Sequence, residues 1–230
     1  MSGAAAYCDV DGTLAATTIV TPLLWYKRRL LNAPRGWLWL ASLCVRGPYW
    51  LALDRSSRAV SNRAIYSNYA GMDSARAKEL AGACYAACIK PRLYPQALER
   101  LAALRRDGAR LVLVTGGLDF LVQPLAAELG ADLIAPGLEE RGGAFTGALR
   151  GEPLTGAHKS EALRAHAAAH DIDLSQSHAF GDAFGDLPLL ECVGHPVAVN
   201  ADGRLAAIAR SRNWHMEDWR LGARQFTSAS

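Results

Sequence analysis

The sequence predicts a doubly wound parallel α/β sheet of Rossmann-like type with an all-helical segment inserted after its first strand. Three observations predict it. Ala4 to Val10 is a short apolar run that ends in acids and reads as a buried parallel strand. From Thr17 to about Pro91 the pattern is helical and no strand alternation interrupts it. After Pro91 strands and helices alternate, which implies parallel pairing through crossover helices. The expected division is a core over 1–14 and 92–230 with a helical insertion over 15–91.

Within the insertion, Tyr26, Leu30, Trp37 and Leu40 sit among basic residues, and Ser57 to Tyr69 and Asp73 to Ile89 read as further helices. Gly36 to Leu53 is its most apolar stretch. Arg46, Gly47 and Pro48 fall in the middle and predict two halves too short to span a bilayer, hence a buried helical pair or an interfacial contact. The tryptophans are expected in the insertion's own core. In the core, Pro95 to Arg106 suits a helix, followed by Gly108 and the strand Arg110 to Thr115. Asp119 to Leu129 is a helix with Asp119 near its N-terminus, and Leu133 to Ala135 is a short strand. Arg141-Gly142-Gly143 suggests a hairpin over Leu138 to Leu149. His158 to His170 (helix), Ser177 to Gly181 (strand), Asp186 to Cys192 (short helix) and Val197 to Val199 (final strand) follow, with Gln225 to Ser230 expected to fray.

The 230 residues are half apolar and one-fifth charged, ordinary for a globular protein and unlike a disordered one. A net charge of +3 is too small to indicate nucleic acid. The charge is uneven, however. From Ala15 to Gly71 eight basic residues, Lys27, Arg28, Arg29, Arg35, Arg46, Arg55, Arg58 and Arg63, face one acid, Asp54, so this stretch carries +7 and the remainder −4. Such a block is a solvated face or an attractor for an anionic substrate or an anionic membrane surface. The five cysteines form no CxxC pair, and Cys84 and Cys88 have the spacing of helix neighbours. With no signal-peptide pattern after Met1, a reducing, cytoplasmic setting is expected.

Four constellations carry chemistry. Asp9-Val10-Asp11-Gly12-Thr13 closes the first strand, where ligands bind in open α/β sheets. Asp9 and Asp11 point to the same side of an extended chain, Gly12 permits an abrupt turn, and Thr13 adds a hydroxyl. Thr115-Gly116-Gly117 ends a second buried strand with a hydroxyl and exposed backbone N–H groups suited to phosphate oxygens. Lys159 stands near the start of a helix. Phe180-Gly181-Asp182-Ala183-Phe184-Gly185-Asp186 lies just past another strand. A calcium loop is a poor account of Asp9 and Asp11, because Leu14 to Val20 lacks the further acids and closing glutamate of an EF-hand. The six histidines show no HExxH pattern; His166 and His170 read as a solvated face, and His158, a neighbour of Lys159, is expected at most to line the site. Cys8 is read as core packing.

Together these residues resemble the four motifs of the haloacid dehalogenase superfamily, in order and in strand-end context, across nearly the whole chain. The helical insertion resembles the C1 cap of subfamily IB, the phosphoserine-phosphatase-like branch. The resemblance implies a phosphoric monoester hydrolase. In it Asp9 attacks phosphorus, while Asp11 protonates the leaving oxygen and later deprotonates water. It implies Mg²⁺ held by the Asp9 carboxylate, the Asp11 backbone carbonyl and Asp182, with Asp186 holding the metal's waters. Gly12, Thr13, Thr115, Gly116, Gly117 and Lys159 would contact the phosphoryl group or substrate. Cap movement is expected about Ala15–Thr17 and Lys90–Tyr94.

One departure concerns the substrate. Phosphoserine phosphatases usually carry a glutamate a few residues after the second aspartate, which reads the amino group; here Gly12 to Thr18 contains no acid. A small phosphorylated metabolite is the favoured substrate, and a lipid phosphate such as phosphatidylglycerophosphate at a membrane surface is the alternative. A phosphate-binding or sensing protein is a further reading, which the presence of both Asp9 and Asp11 disfavours. A receiver domain would be about half this length, a dehalogenase should lack Asp11, and a P-type ATPase would need membrane spans.

Overall fold

The computed structural model describes residues 3–30 and 33–220. The terminus Gln225 to Ser230, expected to fray, lies outside the described residues, as do the side chains of Arg35, Asp54 and Arg55. The chain begins with β1 (Ala5–Cys8) and continues into five helices: α1 (Val20–Leu30), α2 (Ala33–Ser56), α3 (Arg58–Tyr66), α4 (Ser74–Glu79) and α5 (Ala81–Cys84). It then runs through α6 (Pro95–Arg106), β2 (Arg110–Val114), α7 (Asp119–Leu129) and β3 (Asp132–Ile134), and forms the hairpin β4 (Leu138–Arg141) and β5 (Ala144–Leu149). The last part comprises α8 (Ala157–Ala169), β6 (His178–Gly181), α9 (Leu187–Leu190), β7 (His195–Val199), α10 (Gly203–Ser211) and β8 (His215–Glu217).

Six strands make one sheet in the order β3-β2-β1-β6-β7-β8, and each adjacent pair is parallel. β1 is buried along its length and β2 is buried from Leu111 to Val114, as expected of strands covered by helices on both faces. The strand order turns back at β1, so the carboxyl ends of β1, β2 and β6 open onto one crevice. Gly130 ends α7 with φ of +57°, and Ser57, Asp73 and Asp202 cap α3, α4 and α10 through their side chains.

The two strands of chain that lead into and out of the inserted helices run side by side. The Ala16 amide donates to Arg92 O at 2.8 Å, and the Tyr94 amide donates to Leu14 O at 3.0 Å. The β4–β5 hairpin leans on the insertion through Phe145 N to Met72 O and Gly71 N to Phe145 O, both 2.9 Å. An aromatic cluster bridges insertion and core: the ring centroids of Tyr26 and Tyr69 lie 6.1 and 6.3 Å from Phe120, and Phe120 stacks on Phe145 at 5.3 Å.

Three expectations change. Arg46-Gly47-Pro48 does not divide the apolar stretch into a helical pair: α2 is a single helix of 24 residues with Pro48 inside it. Pro48 removes one backbone donor, and the helix is anchored on both sides of that gap by the buried Trp50 and the partly buried Trp39 and Leu43. Nor is α2 buried, since Trp37 and Leu38 are exposed. Among the described residues no helix is long and apolar enough to cross a membrane. The strand Val197 to Val199 is not final, because α10 and the edge strand β8 follow; two of the three residues of β8, His215 and Glu217, are polar and give little period-two signal. His166 is not on a solvated face: its ring meets the Tyr7 hydroxyl at 3.2 Å and Asp132 at 3.1 Å, and burial lowers its pKa.

Candidate active site

Three strand ends build the site. β1 delivers Asp9, which is buried, and Asp11 two residues on. β6 delivers Asp182, and the short helical turn after it brings back Asp186, also buried. α8 supplies Lys159 from its first turn. The Lys159 ammonium donates to Asp9 Oδ1 at 2.6 Å and to Asp186 Oδ1 at 2.7 Å, with side-chain exposures of only 6, 6 and 2%. Each partner would be costly to bury alone, so the three groups stand or fall together.

The turn after Asp11 requires a glycine. Gly12 has φ of +88°, and a Cβ there would meet Asp182 Oδ2 at 2.3 Å. Asn200, from the end of β7, donates to Gly12 O at 2.9 Å and accepts from the Trp219 amide at 2.8 Å, so the far edge of the sheet braces this turn. Thr13 is fully buried and its hydroxyl contacts Asp9 Oδ2 at 3.2 Å and Asp182 Oδ1 at 3.0 Å. It therefore orients carboxylates and does not line the cavity. Thr115 accepts the Gly117 amide at 2.9 Å, which shapes the β2 turn; of Thr115, Gly116 and Gly117, Gly116 lines the cavity.

Burial raises the Asp9 carboxyl above its ordinary range; Lys159 opposes the shift, and Asp186 and Asp182 reinforce it. Asp182 is likewise raised by burial and by Asp186. Asp11 is raised by burial, against the Thr17 hydroxyl, which donates to its Oδ1 at 2.7 Å, and against Lys159 and Arg58. Lys159, between two carboxylates, holds its proton more tightly than usual even though its burial acts the other way. Cys8 is wholly buried and burial keeps its thiol protonated, in line with a packing role.

One oxygen from each of Asp9, Asp182 and Asp186 lies within 4.8 Å of the others. A hard divalent cation fits this all-oxygen donor set, which carries more negative charge than Lys159 alone offsets. Above the carboxylates the inserted helices roof a cavity of about 580 Å³ whose lining includes Asp9, Asp11, Gly116, Lys159, Asp182 and Asp186. His158 stands outside this lining, with its Nδ1 3.2 Å from Pro153 O.

A family model for haloacid dehalogenase-like hydrolases matches residues 6–191. The chain belongs to this family. It is 31% identical over 219 residues to a probable phosphatase of Mycobacterium tuberculosis, covering 91% of this chain and 73% of that one. It is 36% identical over 115 residues to a phosphoserine phosphatase of the same organism, covering 50% of this chain and 37% of that protein, so the chain spans little more than a third of that relative. In three dimensions it resembles a protein of unknown function from Bordetella pertussis, with TM-score 0.82, 23% identity and coverage of 95% of this chain and 100% of that one. A phosphoserine phosphatase without ligand matches with TM-score 0.68 and 19% identity over 95% of this chain and 94% of its own, a likeness of fold. Relatives and fold agree on a haloacid dehalogenase-like hydrolase similar to phosphatases.

Sequence reading missed the residues that the insertion brings to the family's motifs. Arg58, Ser61 and Asn62 on α3 line the cavity, and the Tyr66 hydroxyl donates to Gly116 O. Their signal was present as polar residues at positions i, i+3 and i+4 of a helix, one face of it. Asn200 had no local signal at all, because its partner Gly12 is 188 residues away.

Proposed function

We propose that this hydrolase is a Mg²⁺-dependent phosphomonoesterase that works through an aspartyl-phosphate on Asp9. The observation that carries the reading is the convergence of Asp9, Asp182 and Asp186 about Lys159, with Asp11 beside them on the wall of one cavity. Lys159 and Thr13 fix the plane of the Asp9 carboxylate, which favours in-line attack on a bound phosphoryl group. Asp11 has the features of an acid–base group: it lines the cavity, and its raised pKa keeps a proton available for the leaving oxygen. Thr17 holds Asp11 Oδ1 and leaves Oδ2 to exchange that proton, first with the leaving group and then with water. The Gly116 backbone and Lys159 would hold the phosphoryl oxygens. Asp9, Asp182 and the Asp11 carbonyl would hold Mg²⁺, and Asp186 would order its water; bound there, the ion neutralises charge on the phosphoryl oxygens.

Phosphate release from p-nitrophenyl phosphate tests the reading. Release should require Mg²⁺, stop with EDTA and be absent from Asp9→Asn. Turnover by that variant at the normal rate would overturn the covalent mechanism. Among the described residues the inserted helices bring no acid to the cavity lining, which agrees with the missing glutamate and does not favour an amino-acid phosphate. A small phosphorylated metabolite remains a substrate class within this reading; the cavity's apolar lining bears on the alternative.

A further inference from the structure

The cavity over Asp9 is polar below and apolar where α1 and α2 face it. Ile19, Val20, Leu24, Leu43, Trp50 and Leu51 line it from that side. A small polar ester has nothing to bury against six such side chains, whereas a hydrocarbon chain does. The outer side of α2 is apolar as well. Trp37, Leu38, Val45 and Tyr49 are 72, 73, 77 and 58% exposed, and together with Ala41 and Pro48 they occupy roughly a third of the helix circumference. Leu51 joins the two surfaces, since it lines the cavity and is 55% exposed.

Basic residues flank α2. Arg28 and Arg29 are exposed at the end of α1, and Lys27 Nζ lies 5.8 Å over the Trp39 ring of α2, which brings that basic end against the helix. Arg46 lies on α2 about 120° round from the centre of the apolar face and donates to Asn68 Oδ1 at 2.8 Å, and neither helix carries an acid before Asp54. A second copy would set like charges against each other across the contact, whereas anionic headgroups complement them.

We propose that α2 rests on an anionic bilayer and that the substrate is a phosphomonoester whose hydrocarbon chain enters the cavity past Leu51 while its phosphate meets Asp9. This rests on the phosphatase reading above. In the reaction the bond from phosphorus to the lipid oxygen breaks as Asp9 bonds to phosphorus, and the lipid oxygen takes the Asp11 proton. Water then releases inorganic phosphate from Asp9, returning a proton to Asp11.

The test compares butyl and decyl phosphate as dissolved monomers, and measures sedimentation with phosphatidylcholine vesicles with and without phosphatidylglycerol. The kcat/KM for decyl phosphate should exceed that for butyl phosphate at least tenfold. Binding should require the anionic lipid and weaken with salt. In Trp37→Glu/Val45→Glu, neither residue of which lines the cavity, vesicle binding should fall at least tenfold while p-nitrophenyl phosphate turnover is unchanged. Equal rates for the two alkyl phosphates, or no sedimentation at low salt, would each overturn the proposal. So would a solution dimer lost in the double variant without vesicle binding, which would assign the face to a second copy. If p-nitrophenyl phosphate itself were not hydrolysed, the phosphatase reading would fail first, and vesicle binding would still report on α2 separately.

Discussion

At the scale of single residues the site is a balance of charge around Lys159. Lys159→Met leaves Asp9 and Asp186 buried without their partner, and should lower stability by about 3–5 kcal/mol in urea titrations at neutral pH without metal. A loss within measurement error would mean that the carboxylates do not depend on the ion pair. Asp9→Asn keeps the shape of the side chain and should cut turnover by roughly 10³-fold or more with the fold retained. Titration follows from the same group of acids. Asp9, Asp11 and Asp182 are all raised above their ordinary 3.8, so the metal-free folded chain binds more protons than the unfolded one. Its stability should therefore fall as pH rises above that value; Lys159 stays protonated in both states there and adds no slope. Mg²⁺ competes with those protons, so the rise in melting temperature on adding it should be larger at about pH 8 than at about pH 5. An equal shift at both values would contradict the carboxylate site. The acids were legible because their motifs are local, a short apolar strand followed by the acid that it places at the crevice, whereas Lys159, on a helix, was picked out only by the resemblance. What the side chain of Thr13 does was not legible, because it turns inward to Asp182, a neighbour that only the fold supplies.

At the scale of elements the alternation of strands and helices after Pro91 could be read from hydrophobic period, and the hairpin from the turn glycines Gly142-Gly143. The failures were at α2 and β8. Pro48 is a strong local signal to end a helix, and tertiary anchoring through Trp50 and its neighbours overrides it. Pro48→Ala should restore the missing backbone bond to α2 and raise stability, by up to about 3 kcal/mol in urea titrations. No gain would mean that the chain is broken at Arg46–Pro48 after all. β8 pairs with β7 across α10, and a three-residue strand with exposed His215 and Met216 has too few buried positions to announce itself. The polar face of α3 was readable as a helix, but nothing in its sequence says that Arg58, Ser61 and Asn62 face a cavity.

At the scale of the whole molecule the inserted helices and the sheet are joined by more than the two chain crossings. Phe120 and Phe145 of the core meet Tyr26 and Tyr69 of the insertion, and the hairpin adds backbone bonds to Gly71 and Met72. Phe120→Ala should cost about 3–5 kcal/mol. Unfolding should remain a single transition, with tryptophan fluorescence and far-ultraviolet circular dichroism coincident. Two separated transitions would show that the insertion unfolds by itself. The sheet places Asp9, Gly116 and Asp182 at one crevice because its order turns back at β1, and the insertion closes that crevice above them. The proposed reaction at that crevice runs through a covalent bond at one side chain. The most direct measurement is to quench the enzyme in acid during turnover of a phosphomonoester with Mg²⁺, reduce it with borohydride, and sequence the peptide containing Asp9 by mass spectrometry. An aspartyl-phosphate predicts homoserine at position 9, absent without substrate; steady phosphate release with an unmodified Asp9 under the same quench would contradict it.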